Sequence, residues 1–103
     1  MIRILCAANW YKTEDKVHQP KNVSTGFVVA GHRHSSIYPV VAHISGPGWD
    51  ALRDVEEQGF LTSDNRWVNR HEAYDIAEMA NQLNMAEVHR RGGHRVLYSE
   101  DLY

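Results

Sequence analysis

A single cysteine, Cys6, is all the thiol chemistry in these 103 residues, so no disulfide can close within the chain. It lies in an apolar segment, where a lone thiol reads as a small buried hydrophobe in a reducing compartment. Long apolar runs are lacking too. No stretch approaches the ~20 residues that a membrane span requires. The opening MIRILCAANWY is interrupted by Arg3 and Asn9 too soon for a secretory leader. Nor is there an excess of positive charge: the formal net charge is −2, so no global field draws the chain to a nucleic-acid duplex. A GxSxG elbow, a Walker loop, GxGxxG, HExxH and an EF-hand loop are all missing, as are repeats and low-complexity tracts. These absences leave a soluble cytosolic domain, 1–103, with no cofactor implied.

What is present has ordinary globular proportions, 43% hydrophobic and 23% charged. Eight of the eleven basic residues are Arg, whose planar fork suits phosphate and carboxylate. Ile2–Tyr11 reads as a strand with Ile2, Ile4 and Cys6 on one face. The polar segment 12–25 is a long loop, mobile or functional, leading to a second strand, Phe27–Gly31. Ser35 or Ser36 can cap a helix over IYPVVAHI with Pro39 in its first turn. SGPG (45–48) is a turn, and Trp49–Glu57 reads as helical. Phe60–Thr62 pairs with Arg66–Val68 across Ser63, Asp64 and Asn65.

Asn69 with Glu72 three residues on is a capping box. The stripe Ala73, Ile76, Ala77, Ala80 and Leu83 makes the next helix amphipathic. His89–His94 is a loop, and RVLY a last short strand. The pattern predicts an α+β fold, a small antiparallel sheet covered by two to three helices.

His32 and His34 in HRH invite a metal reading, but without a Cys pair or HExxH solvated histidines explain them better. The same pair suggests one half of an HxS phosphoesterase, for which His43-Ile44-Ser45 is a weak second match. Anion recognition has more support. GHRHSS precedes a helix, whose N–H groups and dipole favour an anion, and TSDNRWVNR repeats that arrangement. Trp67, Phe60 and Tyr98 can offer a stacking face. Each of these residues also has a plain explanation in turns, caps or core.

AGHRHSSIY, GFLTSDNRWVNRHEAYDIAEMANQ and LYSEDLY together resemble small phage-encoded anti-defence proteins, the Thoeris anti-defence sponge family. The likeness covers chiefly 26–38 and 59–103. The 12–25 loop is longer than that pattern, and Trp67 stands where Phe is more usual. The resemblance implies a non-catalytic homo-oligomer that holds a signalling nucleotide, a cyclic ADP-ribose isomer or a cyclic oligonucleotide. It implies Arg33 and His34 as phosphate contacts, and Phe60, Thr62, Asn65 and Arg66 from the hairpin. Arg70 would join them at the helix start, and Ser99, Glu100 and Asp101 would close the pocket. The alternatives are a protein-binding inhibitor of a bacterial defence complex and a small phosphoesterase that degrades the same signal.

Overall fold

The computed structural model describes residues 1–102. Its strands are β1 (Ile4–Tyr11), β2 (Phe27–Gly31), β3 (Glu56–Thr62) and β4 (Trp67–Asn69). They form one antiparallel sheet in the order β2-β1-β3-β4. Two longer helices, α1 (His34–Ser45) and α3 (Arg70–Met79), join two short ones, α2 (Trp49–Asp54) and α4 (Met85–Arg90). The architecture is α+β, as the sequence pattern predicts.

One face of the sheet supplies Ile4, Ala7, Tyr11, Phe60 and Val68 to a core shared with Ile37 and Val41 of α1 and Ala73, Tyr74 and Ala77 of α3. A bulge between Ile4 and Cys6 resets the alternation of β1. Cys6 is therefore only part-buried rather than an inward partner of Ile4, and Ile2 is exposed. Burial still pushes the Cys6 thiol pKa up.

The other face carries a second cluster, Ala8, Val23 and Trp67, with Trp10, Val28 and Leu61 against it. Here the 12–25 loop has a structural task. The side chain of Asn22 donates to the Trp67 carbonyl (2.7 Å) and accepts from its N–H (2.8 Å). These are groups of the short edge strand β4, which the loop covers. Lys21 N–H donates to the Asn65 carbonyl (2.9 Å), and the Asn65 amide donates to Gln19 (2.7 Å). Gly26 closes the loop at φ +81°, where an added Cβ would lie 2.2 Å from the Tyr11 carbonyl oxygen. Asn22→Ala is expected to cost about 1 kcal/mol, the scale for hydrogen bonds at a part-open site. Thermal unfolding checks this, and an unchanged melting temperature would show that the clamp adds nothing.

Several boundaries differ from the sequence reading. Helix α1 begins at His34 with Arg33 as N-cap, so neither Ser35 nor Ser36 caps it and Pro39 lies in its interior. The buried His34 side chain anchors that first turn to the sheet. Helix α2 stops at Asp54, and Glu56 and Glu57 belong to β3. Helix α4, capped by the Asn84 side chain, takes His89 and Arg90 out of the expected loop. RVLY is not a strand, although Leu97 is fully buried. The capping box of α3 is present as read: Glu72 N–H donates to the Asn69 side chain (2.9 Å), and Asn69 N–H to that of Glu72 (3.3 Å).

Candidate functional site

Strand β3 carries two polar side chains on the face that bears the core. Gln58 stands directly opposite Asn9 of β1, and Glu56 opposite Tyr11. The Tyr11 hydroxyl donates to Glu56 Oε2 (2.9 Å), and burial first, then this carboxylate, raises the Tyr11 pKa. Gln58 donates its Nε2 to the Tyr38 hydroxyl of α1 and accepts at Oε1 from Nη2 of Arg70. Asn9 is wholly buried, and its side chain partly offsets the upward push on the Tyr11 and Tyr38 pKa values.

Arg70 opens α3 immediately after the Asn69 cap. Its Nη1 donates to the Leu97 carbonyl (2.7 Å), while its own carbonyl accepts from Leu97 N–H (2.9 Å). This double hold seats Leu97 in the core and carries Tyr98 and the 3₁₀ turn Ser99–Asp101 over the sheet. The result is a cleft of about 240 Å³. Its walls are the first turn of α1 with Tyr38, then Arg70, then Tyr98 to Glu100.

The charge in this cleft is unevenly matched. Among the described residues both hydrogen-bond partners of Arg70 are neutral oxygens and no carboxylate lies within ion-pair distance, although Glu100 and Asp101 act on it from further off. Its guanidinium lies 4.8 Å from the Tyr98 ring centroid and 6.0 Å from that of Phe60. Burial presses its pKa down from the ordinary arginine value. Arg33 Nη1 lies 3.6 Å from Glu100 Oε1 across the mouth, beyond hydrogen-bond reach. The first turn of α1 carries no acidic residue and no side-chain cap, so its dipole adds positive potential beside the two arginines.

Five of the expected site residues meet here: Arg33, His34, Arg70, Ser99 and Glu100 all line the cleft. The others do not. Phe60 is fully buried beneath it, edge-on to His34 at 5.0 Å, and offers no face to a ligand. Asp101 is also fully buried and accepts from Nε and Nη2 of Arg91 (3.0, 3.2 and 2.7 Å) and from Tyr98 N–H (2.9 Å). Thr62, Asn65 and Arg66 shape the β3–β4 turn, where Thr62 Oγ1 and Arg66 Nε both donate to Asp64 (the latter at 2.9 Å). The Thr62 bond leads the causes that hold the Asp64 carboxyl pKa low.

Trp67 packs on the far face of the sheet, donating to the Ala8 carbonyl (3.0 Å). Tyr98 is in the cleft, but Arg70 and Arg91 both stand 4.8 Å from its centroid. Tyr38, on the opposite wall, packs against Trp49 with ring centroids 6.4 Å apart. Sequence reasoning passed over Gln58, which carries no motif, and gave Tyr38 no role of its own within AGHRHSSIY.

His34 lines the cleft with one ring nitrogen already committed to the sheet. Its Nε2–H donates to the Gly59 carbonyl (2.8 Å), and burial lowers its pKa below the ordinary 6.5. The neutral ring suits the folded state, so its contribution is present above pH 6.5 and is lost as pH falls towards the lower folded value. Unfolding midpoints of wild type and His34→Gln should diverge above pH 6.5 and converge below it. One proton accounts for at most about 1.4 kcal/mol per pH unit. Parallel pH profiles for the two proteins would contradict this.

Sheet, helices and cleft together define a small α+β protein with a cationic, aromatic-edged hollow between the starts of two helices. The chain belongs to the phage T4 y16D protein family, whose model matches residues 3–103, and so to a family of small phage proteins. No curated protein and no solved structure matches it significantly.

Proposed function

We propose that this protein binds a signalling nucleotide and sequesters it without cleaving it, so that a phage evades a nucleotide-based host defence. The observation that carries the reading is Arg70, a part-buried guanidinium held by neutral oxygens with its charge facing a cleft. A phosphate there would gain charge-assisted bonds that no acidic residue already satisfies. Arg33 and the first turn of α1 supply the next donors, and Tyr38 a ring for the base. Glu100 suits the hydroxyls of a ribose once an anion relieves it of Arg33.

Retention rather than turnover is supported by His34, which lines the cleft but commits Nε2 to Gly59 and stays neutral. A cyclic ADP-ribose isomer fits this donor set, and cyclic oligonucleotides share its chemistry. The hollow is small for either ligand, and a second copy of the chain would complete the enclosure. The site of action would be the host cytosol.

The test is a thermal-shift screen with cyclic ADP-ribose isomers, cyclic di- and trinucleotides, ADP-ribose and NAD. A ligand at ~100 times its dissociation constant adds about 2.7 kcal/mol, which raises the melting temperature by several degrees. The expected result is a large shift with the compound recovered unchanged. Steady loss of the compound at low protein concentration would make this a phosphoesterase instead. No shift would direct the search to protein partners.

A further inference from the structure

The orientation of Gln58 is fixed by chemistry at both ends. A guanidinium can only donate, so the amide oxygen must face Arg70. The amide nitrogen then faces Tyr38, whose hydroxyl accepts from it. Gln58 thus steers Arg70 at Nη2 while the Leu97 carbonyl holds it at Nη1. The neighbouring acid on the same side of β3, Glu56, bonds instead to Tyr11 across the ladder. Position 58 faces a cation, and a carboxylate there would pair with it, yet the chain places a neutral amide.

We infer that Gln58 is the specificity-determining residue of the cleft: it orients the Arg70 guanidinium without cancelling its charge. The ligand class that follows carries a localised negative charge, a phosphate or pyrophosphate, and a neutral nucleoside would gain little from Arg70. This rests on the reading of the cleft as an anion site and adds which residue keeps it one. Gln58 is a positioning residue. It acts on the ligand through Arg70.

The experiment is Gln58→Glu, nearly isosteric, with calorimetric titration by ADP-ribose and by pyrophosphate at low and high salt. The new carboxylate would occupy the Arg70 fork, so affinity for both probes should fall roughly 10- to 100-fold, the scale for a hydrogen bond to a charged group. The salt dependence should weaken with it, and the melting temperature should hold or rise. A merely structural role would lower stability and leave the salt dependence alone.

Wild-type affinity in Gln58→Glu overturns the inference and leaves the anion site standing. No binding of either probe by the wild type overturns both. Should Gln58→Glu fail to fold, Gln58→Leu decides: Arg70 stays charged but unsteered. Pyrophosphate binding must then weaken several-fold with the salt dependence kept, and unchanged affinity overturns the inference.

Discussion

Asp101→Ala is expected to lower the stability of the fold by about 3 kcal/mol, the lower end for removing one partner of a buried ion pair. In a chain of this size that is a fall of roughly 10–20 °C in melting temperature. The carboxylate is wholly buried and takes three contacts from Arg91 and one from Tyr98 N–H. Arg91 would keep the His94 and Val96 carbonyls (2.9 and 2.7 Å) and the Tyr98 ring, but no anion to balance its charge. Its side chain is 20% exposed, so water can reach part of the orphaned cation, which is why the lower end applies.

Asp101→Asn keeps the shape and loses the charge, and should cost about half as much. By contrast Arg95, exposed on its pairs with Asp75 and Glu78, should tolerate Ala with a far smaller loss, because solvent screens such pairs. Equal effects at Asp101 and Arg95 would contradict the account of the C-terminal turn. Chemical denaturation of the three variants measures the difference.

Arg70→Ala should weaken nucleotide binding by roughly 100-fold, the loss of about 2–3 kcal/mol for a charge-assisted fork. It should also loosen the protein, because the same side chain holds Leu97 and Gln58. The two effects separate with further variants. Arg33→Ala removes a cleft cation whose side chain is 29% exposed, and should weaken binding about tenfold with little change in stability. Arg70→Lys keeps the charge without the planar fork, and should fall between wild type and Arg70→Ala. Binding that survives Arg70→Ala in the folded protein would remove the residue from the site.

The sequence was most readable where one local signal sufficed. Asn69 and Glu72 announce α3, and Ser63–Asn65 announce the turn between β3 and β4, because these structures are set within four residues. Helix α4 offers the same signal, Asn84 before Glu87, but it is six residues long and shows no apolar stripe. The reading failed most instructively at Glu56–Gln58. Glu56 and Glu57 read as the end of a helix and Gln58 as part of no element, whereas all three lie on β3, with Glu56 and Gln58 on the face that meets Tyr11, Tyr38 and Arg70.

That breach of the binary pattern falls at the candidate site, where local rules are most often set aside for function. The partnership of Asp101 with Arg91 had no signal at all, since it depends on how the 92–98 segment folds back. Arg33 and Arg70 were legible as donors near helix starts. Their convergence on one cleft depends on Leu97 and on the β1–β3 register, which no local motif encodes.

The most direct test of the cleft is a crystal structure of the protein with ADP-ribose or its cyclic isomer bound. The account predicts a phosphate within hydrogen-bond distance of Arg70, with Arg33 and the first turn of α1 as its other donors and Glu100 turned away from Arg33. A phosphate held instead at the Thr62–Arg66 turn, or between Arg90 and His94, with Arg70 still on Gln58 and Leu97 alone, would contradict it.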